Sequence, residues 1–375
     1  MAARLAISPV VPAVGEAFSV SNGAIGLALT GMWAAYAASQ FPSGLLADRY
    51  GERRIILVAV GGTALTSGIL AGAPTYPVFL LSAVALGGVA GLHYSVATSL
   101  LTRTLPNTGS AIGLHTAGAP VAGGVVPVVA GGIGAWLGWR WAVALGVAVA
   151  VPSAVLFAAV VRPTAPVRPD ESVWSRLRIG PLVELLRRPP IARTAALSVG
   201  GAFVWQATAS FLPAFLVEHH GYGEALAGGL FSAYFAVQGL TQPALGALSD
   251  RIGREPAAAL GAGVVGYGGL VAGPGPWSVG AAVACAGVAM GWGAALLPKF
   301  MDHLDDDERS AGFGLIRTAY MVLGASGSVV TGTVADVLGW KAAFLGLAGV
   351  LAGMLAVLLY VVRRRPSGQT AAARP

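Results

Sequence analysis

The residues best able to do chemistry in this chain are ionisable side chains that lie inside long apolar stretches. They are few, and all are basic or neutral: Arg4, His93, His115, Arg317 and, near the edge of a stretch, Arg193. A charge in an apolar surrounding costs free energy, so such residues are candidates for function by default. Grouped cations attract an anion, and a histidine titrating at about pH 6.5 can exchange protons near neutrality.

Acidic residues are missing from the interiors of the same stretches. Asp48, Asp250 and Asp336 lie at their ends, as does Glu16. Cations without acidic partners favour an organic anion or a weak acid as the ligand. Nearby aromatic and amide side chains can supply stacking and hydrogen bonds. The candidate cavity residues are Arg4, Tyr36, His93, His115, Trp205, Gln206, Gln238, Arg317 and Tyr320.

Signatures of enzymes and metal sites are lacking in the sequence. There is no His-Glu-x-x-His motif and no phosphate-binding Gly-Lys loop, and the single cysteine, Cys285, lies in an apolar stretch. We therefore expect no catalytic residue, no metal and no cofactor, apart from coupling to a proton or ion gradient. The tetrapeptide at 324–327, Gly-Ala-Ser-Gly, resembles the surround of an intramembrane serine protease, but 54 glycines make such a match easy.

The composition indicates a protein that lies in a membrane. Hydrophobic residues make up 55% of the chain, charged residues 10%, and the mean hydropathy is +0.73. Soluble domains carry about 25% charged residues. The uncharged runs at 55–102 and 256–298 are each long enough for two membrane helices. The net charge of +7 comes from basic residues in loops, so we expect lipid rather than nucleic acid as the partner.

Hydropathy and turn residues predict an all-α protein with twelve transmembrane helices. The predicted spans are 1–18, 24–46, 55–73, 77–101, 110–135, 140–161, 191–217, 227–248, 257–273, 277–298, 311–335 and 341–362. With the N-terminus cytoplasmic, eighteen basic residues lie on inside segments and two, Arg140 and Lys341, on outside loops. This bias satisfies the positive-inside rule and predicts a multi-pass cell-membrane protein with both termini cytoplasmic.

The first predicted span has too few residues at its N-terminal end to reach the cytoplasmic face of the membrane. Few residues precede Pro9 and Pro12, which leaves the Met1 amine near the middle of the membrane. We therefore expect that the native start lies upstream and that the first helix is truncated. The predicted organisation is a six-helix bundle at 1–161, a cytoplasmic linker at 162–190, a second six-helix bundle at 191–362 and a cytoplasmic tail at 363–375.

An internal repeat relates the two bundles. The segment Gly-Leu-Leu-Ala-Asp-Arg-Tyr-Gly-Glu-Arg-Arg at 44–54 returns as Gly-Ala-Leu-Ser-Asp-Arg-Ile-Gly-Arg at 246–254, shifted by 202 residues. Gln40 returns as Gln242 at the same shift, and Gly-Trp-Arg at 138–140 returns as Gly-Trp-Lys at 339–341. Six spans in each copy give both copies the same orientation, an architecture found in secondary transporters.

These residues resemble the signature of the major facilitator superfamily. The resemblance covers essentially the whole chain and implies two pseudo-symmetric bundles that rock around a central cavity. It also implies that the signature loops latch the bundles, with Asp48 facing the start of the eleventh helix and Asp250 that of the fifth. The gating residues it implies are Gly44, Asp48, Arg49, Gly51, Arg53, Arg54, Gly246, Asp250, Arg251, Gly253 and Arg254.

Together the residues and the resemblance predict secondary transport of a small solute by alternating access, in a monomer that is not an enzyme. An organic anion is the favoured substrate. Proton-coupled efflux of drugs or metabolites is the alternative, and a channel or an intramembrane protease is more remote. The sequence leaves the substrate, the direction of transport and the coupling ion open.

Overall fold

The computed structural model describes residues 1–173, 180–252, 257–296, 298–305 and 309–363. All regular structure within these ranges is helical. The first half of the chain folds into α1 (Ala2–Leu5), α2 (Val11–Phe18), α3 (Asn22–Tyr50), α4 (Glu52–Ala71), α5 (Tyr76–Gly91), α6 (His93–Thr104), α7 (Thr108–Leu137) and α8 (Trp139–Val160).

The second half contains α9 (Gly180–Leu186), α10 (Pro189–Glu218), α11 (Glu224–Ile252), α12 (Ala257–Ala272), α13 (Pro276–Ala289), α14 (Trp292–Leu296), α15 (Pro298–Met301), α16 (Arg309–Gly324) and α17 (Ser326–Arg363). Helix α17 bends at Gly339, whose φ is 83°. This residue and Gly138, with φ of 90°, form the two Gly-Trp corners of the repeat.

Six segments of the described chain are long and apolar enough to cross a membrane. They are Glu52–Ala71, Tyr76–Thr104, Thr108–Leu137, Trp139–Val160, Pro189–Glu218 and Gly312–Val361. Helices α3 and α11 have 29 residues each but carry more polar side chains, and α12 and α13 are short. The count of twelve spans therefore remains a prediction.

Several predicted spans are interrupted helices. The first is divided into α1, a 3-10 turn at Ser8–Val10 and α2, because Pro9 and Pro12 cannot donate helical backbone hydrogen bonds. Breaks at Leu92, between α5 and α6, and at Met290–Gly291, between α13 and α14, lie at nearly equivalent positions of the repeat. A further break at Ala325 separates α16 from α17.

Helices α3 and α5 pack with almost no space between their backbones. A Cβ atom placed on Gly87 would lie 1.9 Å from the Met32 carbonyl oxygen, and one on Gly91 would lie 2.3 Å from the Tyr36 carbonyl oxygen. Small residues allow this approach, as is common between membrane helices. The contact fixes the face of α3 that carries Trp33 and Tyr36, both of which line the central cavity.

We expect Gly87→Ala to lower stability, because the new methyl group must push α3 and α5 apart at a cost of about 1–3 kcal/mol. The measurement is the thermal unfolding midpoint of the purified protein in detergent. Gly88→Ala is the matched control, since its Cβ would meet only the Ser39 hydroxyl at 3.8 Å. An equal loss of stability in both variants would contradict the close-packing argument.

Candidate functional site

A cavity of about 760 Å³ lies between the two halves of the chain. Its wall is built from α1 and α3–α8 on one side and from α10, α11 and α16 on the other. Ligand pockets commonly measure about 300–1,000 Å³, so the cavity fits a small solute. Its charged or titratable lining side chains in the described structure are Arg4, Tyr36, His93, Tyr94, His115 and Arg317, with no Asp or Glu among them.

Arg4 is the most enclosed cation of the cavity. Its side chain is 4% exposed, and its guanidinium carbon lies 3.6 Å from the ring centroid of Tyr36 and 4.8 Å from that of Trp33. The Nη2 group donates to Met1 Sδ at 3.4 Å, whereas Nε has no hydrogen-bond partner among the described residues. Stacking on the two aromatic rings holds the planar guanidinium group of Arg4 in place. Its N–H groups can then still donate hydrogen bonds to an anion.

Arg317 enters the cavity from the other half of the chain. Its Nη1 donates to Gln40 Oε1 at 2.8 Å, and its guanidinium carbon lies 5.5 Å from the ring centroid of Tyr94. The Tyr94 ring stacks on His115 at 5.7 Å. His93 completes the group, with its ring centroid 5.5 Å from that of His115. The Nε2 atom of His115 is buried and lacks a partner in the described structure.

The opposite wall is aromatic and amide-bearing. Trp205 donates its Nε1 proton to Gln238 Oε1 at 3.4 Å, and its ring meets Trp33 edge-on at 5.2 Å between centroids. Phe235 and Gln242 also line this side. The cavity therefore offers stacking surfaces and hydrogen-bonding groups beside its cations.

The structure brings seven of the nine cavity candidates to this one cavity: Arg4, Tyr36, His93, His115, Trp205, Gln238 and Arg317. The other two do not line the cavity, although the Tyr320 side chain interacts with Arg317. Gln206 is 1% exposed and donates to the Met321 carbonyl, and Tyr320 is buried against Phe300 with ring centroids 6.4 Å apart. Trp33, Tyr94 and Gln242 line the cavity but were not among the candidates, although Gln242 is the repeat mate of Gln40.

The first signature loop holds the segment that follows α8. Arg53 donates from Nε to the Val161 carbonyl at 2.6 Å and from Nη2 to the Ala158 carbonyl at 2.7 Å. This guanidinium caps the C-terminal end of α8, where a cation is favoured. The Asp48 carbonyl accepts from the amides of Val167 and Arg168. Gly51 has φ of 87°, and its backbone lies against Thr164.

The remaining signature residues are distributed as follows. Arg49 donates from Nη1 to the Glu171 carbonyl at 3.5 Å, Arg54 is exposed, and Gly44 lies on α3. Gly246 belongs to α11, as do Asp250 and Arg251, whereas Gly253 and Arg254 lie outside the described residues. The latch of Asp48 and Asp250 across the halves stays a prediction.

Direct hydrogen bonds join the two halves near the Gly-Trp corners, at what we call the corner face. Asp336 accepts from the amides of Asn22, at 3.0 Å, and Gly23, at 2.7 Å. The Asp336 carboxylate, which directly follows the eleventh predicted span, thus caps the N-terminus of α3. A negative charge is favourable at a helix N-terminus. Deeper in, Thr30 Oγ1 accepts from the Val329 amide and donates to the Ala325 carbonyl, at the break between α16 and α17.

These bonds separate the cavity from the corner face. The cavity residues of α3, Trp33 and Tyr36, follow Thr30 in the direction of the signature loop. On the other half, Arg317 and Met321 precede Ala325 on the same side. The cavity therefore lies toward the face that carries the signature loops, which we call the loop face.

This architecture is that of a polytopic helical membrane protein with a solute-sized cavity between its halves, in which a few polar and charged side chains lie in a mostly apolar wall. The sequence model of the Major Facilitator Superfamily matches residues 1–233 and 201–375. The chain belongs to this family.

The hexuronate transporter of Bacillus subtilis (strain 168) is 23% identical over 225 residues. That alignment covers 58% of this chain and 53% of the transporter, so the match spans about half of the relative's length. Among solved structures, a bacterial homologue of the human lysosomal transporter Spinster, in an inward-facing, occupied conformation, has a TM-score of 0.82 at 16% identity, covering 96% of this chain and 93% of that one. The nucleoside transporter NupG has a TM-score of 0.76 at 14% identity, covering 97% of each chain.

We expect Asp336→Ala to open the corner face, because the α3 N-terminus loses both of its carboxylate contacts. The readout is maleimide labelling of a cysteine placed at Ser328, which is fully buried where its helix packs against Gly26 of α3, in a Cys285→Ser background. Labelling should accelerate by about 10-fold, the factor expected from losing about 1.4 kcal/mol of closure. Glu16→Ala, which removes an exposed carboxylate from the same face, should leave the rate unchanged.

Proposed function

We propose that this protein carries a small organic anion across the membrane by alternating access, with sugar acids such as hexuronates as the first candidate substrates. The observation that supports the proposal most is Arg4, a guanidinium 4% exposed in the wall of the cavity between the two halves. Buried charges persist in membrane proteins where they serve a ligand or a partner. Because the described cavity lining supplies no carboxylate, an anionic ligand is the natural partner.

The rest of the cavity wall suits a hydroxylated or ring-shaped body attached to that anion. Trp33 and Trp205 provide apolar faces, and the amides of Gln238 and Gln242 can exchange hydrogen bonds with hydroxyl groups. The similarity to a protein named as a hexuronate transporter supports the same substrate class. A hexuronate carries one carboxylate and several hydroxyl groups, which matches this division of the wall.

Alternating access is supported by the position of the closing contacts. Asp336 and Thr30 join the halves at the corner face, and the cavity lies on the loop-face side of these contacts, where the hydrogen bond from Arg317 to Gln40 also joins the halves. The basic residues concentrate on the loop face, which we therefore assign to the cytoplasm. On this proposal the protein is a monomer in the cell membrane with both termini cytoplasmic, its cavity faces inward, and the outward-facing state requires the corner contacts to break.

We expect Arg4→Gln to reduce counterflow of radiolabelled glucuronate into proteoliposomes by about 10-fold or more, since a charge-assisted bidentate contact is lost. Arg4→Lys should retain part of the activity, because the positive charge remains but the planar guanidinium that binds a carboxylate through two parallel hydrogen bonds is lost. Arg193→Gln is the control, since Arg193 is exposed and contacts only the Pro189 carbonyl in the described structure.

Counterflow also separates the alternatives. A carrier shows uptake of labelled substrate that is stimulated by unlabelled substrate on the other side, whereas a channel does not. Trans-stimulated uptake of lipophilic cations without uptake of any organic anion would favour the drug-efflux alternative and contradict the proposal.

We also propose that the imidazole pair of His93 and His115 couples transport to protons, because the two rings lie 5.5 Å apart in the cavity wall. In the described structure, Tyr94, Arg317 and the Met1 amino group are the other titratable or charged groups beside the pair. In the double variant His93→Asn/His115→Asn, acid-driven accumulation of glucuronate should be lost while counterflow persists, since exchange needs no net proton movement. His303→Asn, an exposed imidazole, should retain both activities. Acid-driven accumulation that survives the double substitution would refute the coupling role.

A further inference from the structure

We propose that the cavity binds two anionic groups at once, so that it prefers a dicarboxylate over the monocarboxylate of the same length. This inference rests on the proposed function, because it concerns the same cavity and the same ligand charge. The class it points to is a flexible dicarboxylate with a hydroxylated backbone, such as an aldarate, the dicarboxylate counterpart of a hexuronate.

The spacing of the two arginines is set by one helix. Arg4 stacks on Tyr36 of α3, with 3.6 Å between its guanidinium carbon and the ring centroid. Arg317 donates to Gln40 of α3 at 2.8 Å. Residues four apart in an α-helix are separated by about 6 Å along its axis. The two side chains that contact the guanidinium groups therefore leave α3 about one helical turn apart.

Each guanidinium has a neighbouring ring nitrogen of its own. Trp33 lies beside Arg4, is 1% exposed, and its Nε1 proton has no acceptor among the described residues. We call Arg4 and Trp33 the first subsite. An anion held by the Arg4 fork can also accept from this indole N–H, which would give the buried donor a partner.

The second subsite consists of Arg317, Tyr94 and His115. The Tyr94 ring centroid lies 5.5 Å from the Arg317 guanidinium carbon and 5.7 Å from the His115 ring centroid. His115 Nε2 is buried without a partner in the described part of the chain. An anion beside Arg317 can take a hydrogen bond from this imidazole, and a proton on the imidazole pair adds charge at the same place.

Charge balance favours two anions over one. Arg4 and Arg317 contribute two positive charges to a lining without an Asp or Glu among its described residues. Two like charges in the same cavity repel each other. A monocarboxylate neutralises only one of them, whereas a dicarboxylate with its ends about one helical turn apart neutralises both. The substrate's second charge therefore takes the place of an acidic partner, which the described cavity lining does not supply.

The test compares glucuronate with glucarate, which differ by a second carboxylate at the far end of the same carbon chain. Binding of each to the purified full-length protein is measured by isothermal titration at constant pH and ionic strength. We expect glucarate to bind about 10-fold more tightly or better, the gain of one further charge-assisted contact. Arg317→Gln should abolish this preference while changing glucuronate affinity by less than about threefold, a shift below one charge-assisted contact.

The ratio of the two affinities is the readout, because Arg317 also joins the halves through Gln40. A substitution that alters the conformational equilibrium changes the apparent affinity for both ligands by the same factor, which cancels in the ratio. Arg4→Gln should weaken the binding of both glucuronate and glucarate, whereas Arg193→Gln should change the affinity for neither. Arg317→Lys, which keeps the charge, should retain part of the preference and shows that the position tolerates substitution.

Two results would overturn the inference while leaving the proposed function intact. One is equal affinity for glucuronate and glucarate in the unsubstituted protein. The other is an equal loss for both ligands in Arg317→Gln, which would mean that one carboxylate is shared by both guanidinium groups. If neither sugar acid binds and no other organic anion does, the proposed function itself fails.

Discussion

The structure is organised around a guanidinium group that is withdrawn from water inside a membrane protein. Desolvating such a charge is costly, and the cost is tolerable only where polarisable or hydrogen-bonding groups surround it. Here the aromatic rings of Trp33 and Tyr36 cover the Arg4 group. The close approach of α3 to α5 holds those two rings in place. The small residues of α5 are thus connected to the electrostatics of the cavity through the position of one helix.

The internal repeat explains how the two halves contribute unlike groups to the same cavity. Gln40 and Arg317 are hydrogen-bonded across the halves. A shift of 202 residues relates Gln40 to Gln242 and relates Arg317 to His115. The equivalent positions on the two sides of the cavity therefore carry a permanent cation and a titratable ring. The two sides of the cavity, although related by the repeat, therefore differ in chemistry.

The sequence predicted the helical fold and the family because these depend on signals spread over many residues, namely hydropathy, loop charge and the repeat. It also predicted much of the cavity wall, since ionisable residues in apolar stretches are few. Packing partners could not be read in this way. Gln206 and Tyr320 are polar residues in apolar helices, but they face the Met321 backbone and Phe300. The capping role of Asp336 depends on the approach of α3, which no local pattern encodes.

The hydrogen bonds between the first signature loop and the residues after α8 determine how much of the linker is free to span the two halves. Residues up to 171 are fastened to the first half through Asp48, Arg49 and Arg53, and α9 packs on α10 and α16 of the second half. The connection from 171 to 180 can extend over roughly 30 Å at most. The segment that connects the two halves is therefore much shorter than the whole stretch between α8 and α10. Any tilt of the halves against each other is limited by this length, because the two anchored ends cannot move further apart than the chain between them reaches.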